Sequence, residues 1–127
     1  MGKWTSESKD FLKRFQNQLG QKKFAIFATT MKTVSEREGK TEDVAKTRKM
    51  ALDDKIEKYG LHPIGVGFFG GILDFNKMNF VIRRTFGFIK PQLDKDEFKQ
   101  TEPGVYELRD WEEIRVWAKE LAAKAKQ

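Results

Sequence analysis

Two rhythms of hydrophobic and polar positions run along this chain. Residues 23–30 (KFAIFATT) and 63–73 (PIGVGFFGGIL) are short apolar runs, the second with no charge at all. Both read as strands covered on two faces, and the second is bounded by a proline and paired glycines. Three other segments repeat at helical spacing. Residues 5–19 set Phe11, Leu12, Phe15 and Leu19 against Lys9, Asp10, Lys13, Arg14 and Gln16, with Thr5 or Ser6 as cap and Gly20 as a left-handed stop. Residues 41–60 begin with Thr41, Glu42 and Asp43 and bury Val44, Ala51, Leu52, Ile56 and Tyr59 before Gly60. Asp110 and Glu113 form a capping box for a closing helix that buries Ile114, Trp117, Ala118 and Leu121. The order is helix, strand, helix, strand. Two doubly covered strands joined by a helix should be parallel, with a right-handed crossover. Residues 34–40 (VSEREGK) read as a polar surface loop.

The rhythm breaks between residues 74 and 102. One short helix is expected from Asp74 or Asn76 to about Phe86, ending through Gly87 to Pro91. Residues 75–90 mix aromatic and aliphatic side chains with Lys77, Arg83, Arg84 and Lys90, the makeup of a surface that meets a membrane or a partner. The plainer alternative is packing over the end of the sheet. Residues 93–102 (LDKDEFKQTE) are dense in charge and are expected to be exposed.

Composition narrows the chemistry. A chain of 127 residues with 39% hydrophobic side chains can build one core, so a single domain is expected over residues 1–127. The absence of cysteine removes disulfides, thiolate metal sites and a cysteine nucleophile, and suits a reducing cytoplasm. His62, the only histidine, stands in a turn beside Pro63, a poor place for a catalytic imidazole. No apolar run approaches the ~20 residues that span a bilayer, and the start of the chain does not resemble a signal peptide. The net charge of +6 favours anionic partners, although 19 acidic residues are interspersed among 25 basic ones. No nucleic-acid motif accompanies it, which argues against nucleic acid. The run GVGFFGG lacks the lysine of a phosphate loop and the acid of a dinucleotide fingerprint, so its glycines are read as permitting close packing or a bend. Glu112 and Glu113 fit a helix's first turn without acid/base work. The best candidate site is residues 29–33, where Thr29, Thr30 and Met31 follow a parallel strand at its carboxyl end, the edge at which open α/β sheets bind ligands. Trp4 could stack on a flat ring there or belong to the core.

Gly2-Lys3-Trp4, FAIFATT, GFFGGILDF and the later Leu108-Arg109-Asp110-Trp111-Glu112-Glu113-Ile114 with Trp117-Ala118 together resemble the later part of the flavodoxin-like family. The branch that looks most similar is that of the menaquinone-dependent protoporphyrinogen oxidases, with residues 74–109 as an insertion before the last helix. The resemblance implies an α/β fold, a partial flavodoxin-like parallel sheet with flanking helices, lacking the N-terminal strands and the phosphate loop. It implies FMN as cofactor, with Lys3 and Trp4 flanking the ring and Thr29, Thr30 and Met31 at its edge. Implied too is electron transfer or an FMN-dependent oxidoreductase activity, with a redox partner or a quinone/porphyrinogen pair. FMN binding by this chain alone is expected to be weak. A fragment, a companion N-terminal half or a homo-oligomer would each account for a partial sheet. The alternative is a non-catalytic interaction module that docks a partner or the inner face of a membrane through residues 75–90.

Overall fold

The computed structural model describes residues 3–127. Helix α1 (Ser6–Leu19) leads into β1 (Ala25–Thr30), α2 (Lys32–Arg37) and α3 (Thr41–Arg48). Helix α3 continues through a π-helical stretch, Lys49–Asp53, into α4 (Asp54–Lys58), and β2 (Gly65–Gly70) follows. Strands β1 and β2 pair in parallel, Ala25 opposite Gly65 and Thr30 opposite Gly70, as the sequence predicts. The mixed α/β architecture, with a two-stranded parallel sheet between helices, is that of a partial flavodoxin-like fold.

Strand β2 is covered on both faces, but β1 is not, contrary to the expectation from its apolar run: only Ile26 is buried and Phe27 stays 59% exposed. Ile26 and Phe68 point toward Ala51 and Leu52 of the π-helical stretch, with Val44, Ile56 and Trp4 packed around them. On the other face Trp117 of α7 (Trp111–Ala125) meets Phe69 edge-on at 5.4 Å and Phe27 at 6.2 Å. The glycines of β2 make this approach possible: a methyl group at Gly65 would come within 2.9 Å of the Leu121 side chain. Gly70 has no room for one either, since it would overlap the Leu108 carbonyl and the Thr33 hydroxyl.

Several expectations need correction. Residues 63–73 are not one strand. Gly71 ends the parallel pairing, and β3 (Ile72–Asp74) joins a separate antiparallel sheet of order β3-β5-β4 with β5 (Val105–Glu107) and β4 (Gln100–Glu102). Residues 34–37 are helical and only residues 38–40 form a loop, because Val34 is buried against that second sheet and anchors α2. Gly20 stays in the right-handed region at φ −63°, while Gly39 and Gly60 take the left-handed turns. Residues 74–86 are two elements, a 3-10 turn Phe75–Lys77 and α5 (Phe80–Phe86). Asn79 separates them by accepting from the Ile82 N–H at 2.9 Å.

The charged stretch 93–102 hides two core residues. Leu93 and Phe98 are buried with Leu73, Phe75, Tyr106 and Leu108. They meet because α6 (Lys90–Lys95) ends in a Schellman turn: the Phe98 N–H bonds the Leu93 carbonyl at 3.1 Å and the Glu97 N–H bonds Asp94 at 3.1 Å. Glu97 therefore sits at φ 59°, a position that glycine would occupy with less strain. The segment expected to be an insertion thus builds a hydrophobic cluster of its own, which is continuous with Val34 and Met31.

Candidate functional site at the carboxyl edge

Strands β1 and β2 end side by side, and the Thr30 carbonyl accepts from Gly71 N at 3.0 Å. The chain then turns at once into α2. The Thr30 hydroxyl accepts from the Lys32 N–H at 3.1 Å, and the Met31 carbonyl accepts from Val34 N at 3.0 Å. Residues 29–33 are therefore a fixed strand-to-helix corner instead of an open loop. Leu108 closes the corner from the far sheet, its N–H bonding Gly71 O at 2.9 Å and its carbonyl accepting from the Thr33 hydroxyl at 2.6 Å.

Thr29, Thr30, Met31, Gly71, Phe86 and Leu108 line a pocket of about 200 Å³. Thr29 is exposed, and among the described residues its hydroxyl has no partner. One free hydroxyl beside apolar walls and a glycine backbone can hydrogen-bond the polar edge of a flat heterocycle. The space is smaller than the roughly 300–1,000 Å³ of a site that encloses a small molecule, so it holds an edge and not a whole cofactor.

Lys32, which the sequence did not single out, is the dominant charge at this corner. Its side chain is 10% exposed. The ammonium donates to Phe68 O at 3.1 Å and to Glu113 Oε1 at 2.5 Å, and lies 3.4 Å from Glu36. Glu113 thus does not close a capping box. Asp110 caps α7 alone, accepting from the Glu112 and Glu113 N–H groups at 3.1 and 3.2 Å. Only the placement of Lys32 directly after the Thr-Thr-Met corner hinted at its position.

The five site residues expected from the sequence do not converge. Thr29, Thr30 and Met31 share the pocket. Lys3 is exposed at the start of the described chain, and Trp4 packs on the core beside Ile26, a residue that precedes Thr30 by roughly 13 Å along β1 at ~3.3 Å per strand residue. The physical reason is the π-helical stretch, whose Ala51 carbonyl accepts the Trp4 indole N–H at 2.5 Å. Trp4 also lines an apolar cleft of about 540 Å³ with Phe11, Leu12, Leu19 and Phe24, toward the amino end of β1. The Gly2 of the GKW motif lies outside the described residues. His62 is exposed in its turn, and among the described residues no cluster of three His, Cys, Asp or Glu side chains could hold a metal.

Parallel strands ending together beside a helix start define an α/β protein of the kind that binds ligands at its carboxyl edge. A family model described as "Flavodoxin domain" matches residues 1–100, and the chain belongs to that family. No curated protein and no solved structure matches it. The family generally binds flavin, which makes FMN the group to test against these residues. The pocket suits the edge of a flavin ring. Its lining brings no cation to a phosphate, and the nearby Lys32 ammonium, which does not line it, is taken up by Phe68, Glu113 and Glu36. The residues described here therefore do not fit the whole of FMN. Among them, no helix is long and apolar enough to cross a membrane.

Proposed function

We propose that this chain serves flavin-dependent electron transfer, contributing the side of a flavodoxin-type site that meets the edge of the ring. The observation that carries this reading is the meeting of Thr29, Thr30, Met31 and Gly71 in one pocket where the two parallel strands end, in a chain of the flavodoxin family. Met31 and Phe86 supply apolar contact to a ring edge and Thr29 a hydrogen bond. When bound, flavin supplies the redox chemistry itself. An oxidoreductase of the protoporphyrinogen-oxidase kind, with a quinone as acceptor, is the finer form of the same proposal.

Flavin fluorescence and visible absorbance during protein titration test it. FMN and riboflavin should bind weakly and within about threefold of each other, because nothing in the pocket reads the phosphate. Thr29→Val should weaken both about fivefold, the loss of one hydrogen bond. Unchanged flavin spectra at every protein concentration would overturn the proposal, and binding of FMN far above riboflavin would overturn the assignment of the site.

A further inference from the structure

The surface of α5 and the 3-10 turn Gly87–Ile89 presents apolar side chains to solvent in an unusual arrangement. Phe80 and Phe88 are each 75% exposed and Val81 is 70% exposed, more than any other large apolar residue among those described. Phe80 and Arg84 stand one helical turn apart on α5 with Val81 adjacent, all three exposed, and Phe88 protrudes from the 3-10 turn that follows. The opposite side holds the segment down. Phe86 and Ile89 pack on the second core, and Arg83 is turned inward, its Nε donating to Phe75 O at 3.0 Å and Nη2 to Asn76 O at 3.2 Å. These exposed rings are therefore not the buried face of a displaced helix. The buried face is already in use.

Charge identifies the occupant. Residues 75–93 contain Lys77, Arg83, Arg84 and Lys90 and no acidic residue. Lys77 is 87% exposed and only loosely paired, 3.9 Å from Asp74, and Arg84 is exposed beside Phe80 and Val81. Apolar side chains that protrude from a held segment, with the cations Arg84 among them and Lys77 beside them, match the boundary between acyl chains and anionic headgroups. Such a boundary accepts phenyl rings without a complementary groove. We infer that residues 77–90 form a peripheral docking surface for an anionic lipid bilayer, with Phe80, Val81 and Phe88 entering the interface and Lys77 and Arg84 meeting headgroup phosphates.

The inference does not rest on flavin binding, and its test reads a different signal. The full chain is cosedimented with vesicles of phosphatidylcholine alone and of phosphatidylcholine mixed with phosphatidylglycerol. Binding to the mixed vesicles, weak binding to the neutral ones, and a decrease as salt rises are expected. Phe80→Ser with Phe88→Ser should reduce binding at least about tenfold, and Arg84→Glu at least about fivefold. Because all three positions are exposed, far-ultraviolet circular dichroism should not change. Phe11→Ser, which removes a 53% exposed ring from α1, should leave binding intact. Equal binding to both vesicle types, retention by the folded double-serine variant, or no vesicle binding at all would overturn the inference. The last result would leave this surface to a protein partner.

Discussion

Tyr106 shows how far a single residue depends on its surroundings. Its side chain is 2% exposed, meets Phe75 edge-on at 5.8 Å and donates its phenol to Asp94 Oδ1 at 2.7 Å. Burial first, then the hydrogen bond to Asp94 and its negative charge, push the phenol up to about 12. The unfolded chain ionises the same group near ~10. The raised value means that the neutral phenol is favoured by folding. Its contribution is complete below pH ~10 and is lost as pH rises toward about 12. Thermal unfolding should therefore show a steep alkaline loss of stability over that window, and Tyr106→Phe should flatten it. Other residues carry the same lesson about legibility. The acid in the first turn of α7 is plain in the sequence, but whether Glu113 would bond its own helix or Lys32 is not, since both choices satisfy the carboxylate. The indole of Trp4 was ambiguous for a similar reason: an aromatic with a polar tip suits a ligand stack or a core equally, until a carbonyl such as that of Ala51 is placed beside it.

Among the elements, β1 makes the clearest demand. Among the described residues it pairs only with β2, and the bond from Gly71 N to Thr30 O sets the alternation along the parallel ladder. The N–H groups of Ile26, Ala28 and Thr30 therefore face β2, while those of Ala25, Phe27 and Thr29 face the open edge. Hydrogen exchange followed by nuclear magnetic resonance should alternate strictly. Amides of Ile26, Ala28 and Thr30 should be protected, and those of Phe27 and Thr29 should exchange at least tenfold faster. Equal protection at Phe27 and Ile26 would mean that another strand covers this edge in solution. The outer edge of β2 is managed differently. Its Val66 carbonyl accepts the Trp117 indole N–H at 3.1 Å and its Phe68 carbonyl accepts from Lys32, so side chains occupy positions that a strand would otherwise fill. The strands themselves were legible from their uncharged apolar runs. The three short strands around Tyr106 were not, because segments of three residues fall below the length at which alternation becomes a pattern.

For the molecule as a whole, the tie between Lys32 and Glu113 joins parts that are distant in sequence. One nearly buried ammonium connects the corner after β1, the edge of β2 and the first turn of α7. Removing it leaves the Phe68 carbonyl without this donor and Glu113 facing Glu36 without a cation between them. Lys32→Met should cost about 1–3 kcal/mol in urea unfolding. Glu113→Gln should cost less, because its carboxylate is 40% exposed and Glu36 can take over the cation. In a double-mutant cycle the two losses should be clearly non-additive. Additive losses would mean that the two side chains act independently in solution.

Local patterning was enough to specify the helices α1, α3 and α7, the two apolar strands and their parallel sense, because apolar periodicity and the chirality of a strand-helix-strand connection are properties of short segments. It also marked Thr29, Thr30 and Met31, since a strand's carboxyl end can be read directly from where its apolar run stops. Tertiary structure decided the rest. It buried Leu93 and Phe98 inside a charged stretch, drew Trp4 away from the pocket to Ala51, bent the chain at Gly71 into a second sheet, and committed Lys32 to Phe68 and Glu113. These outcomes turn on contacts between residues far apart along the chain, where the free energy lies in fitting surfaces together and in finding a partner for each buried polar group.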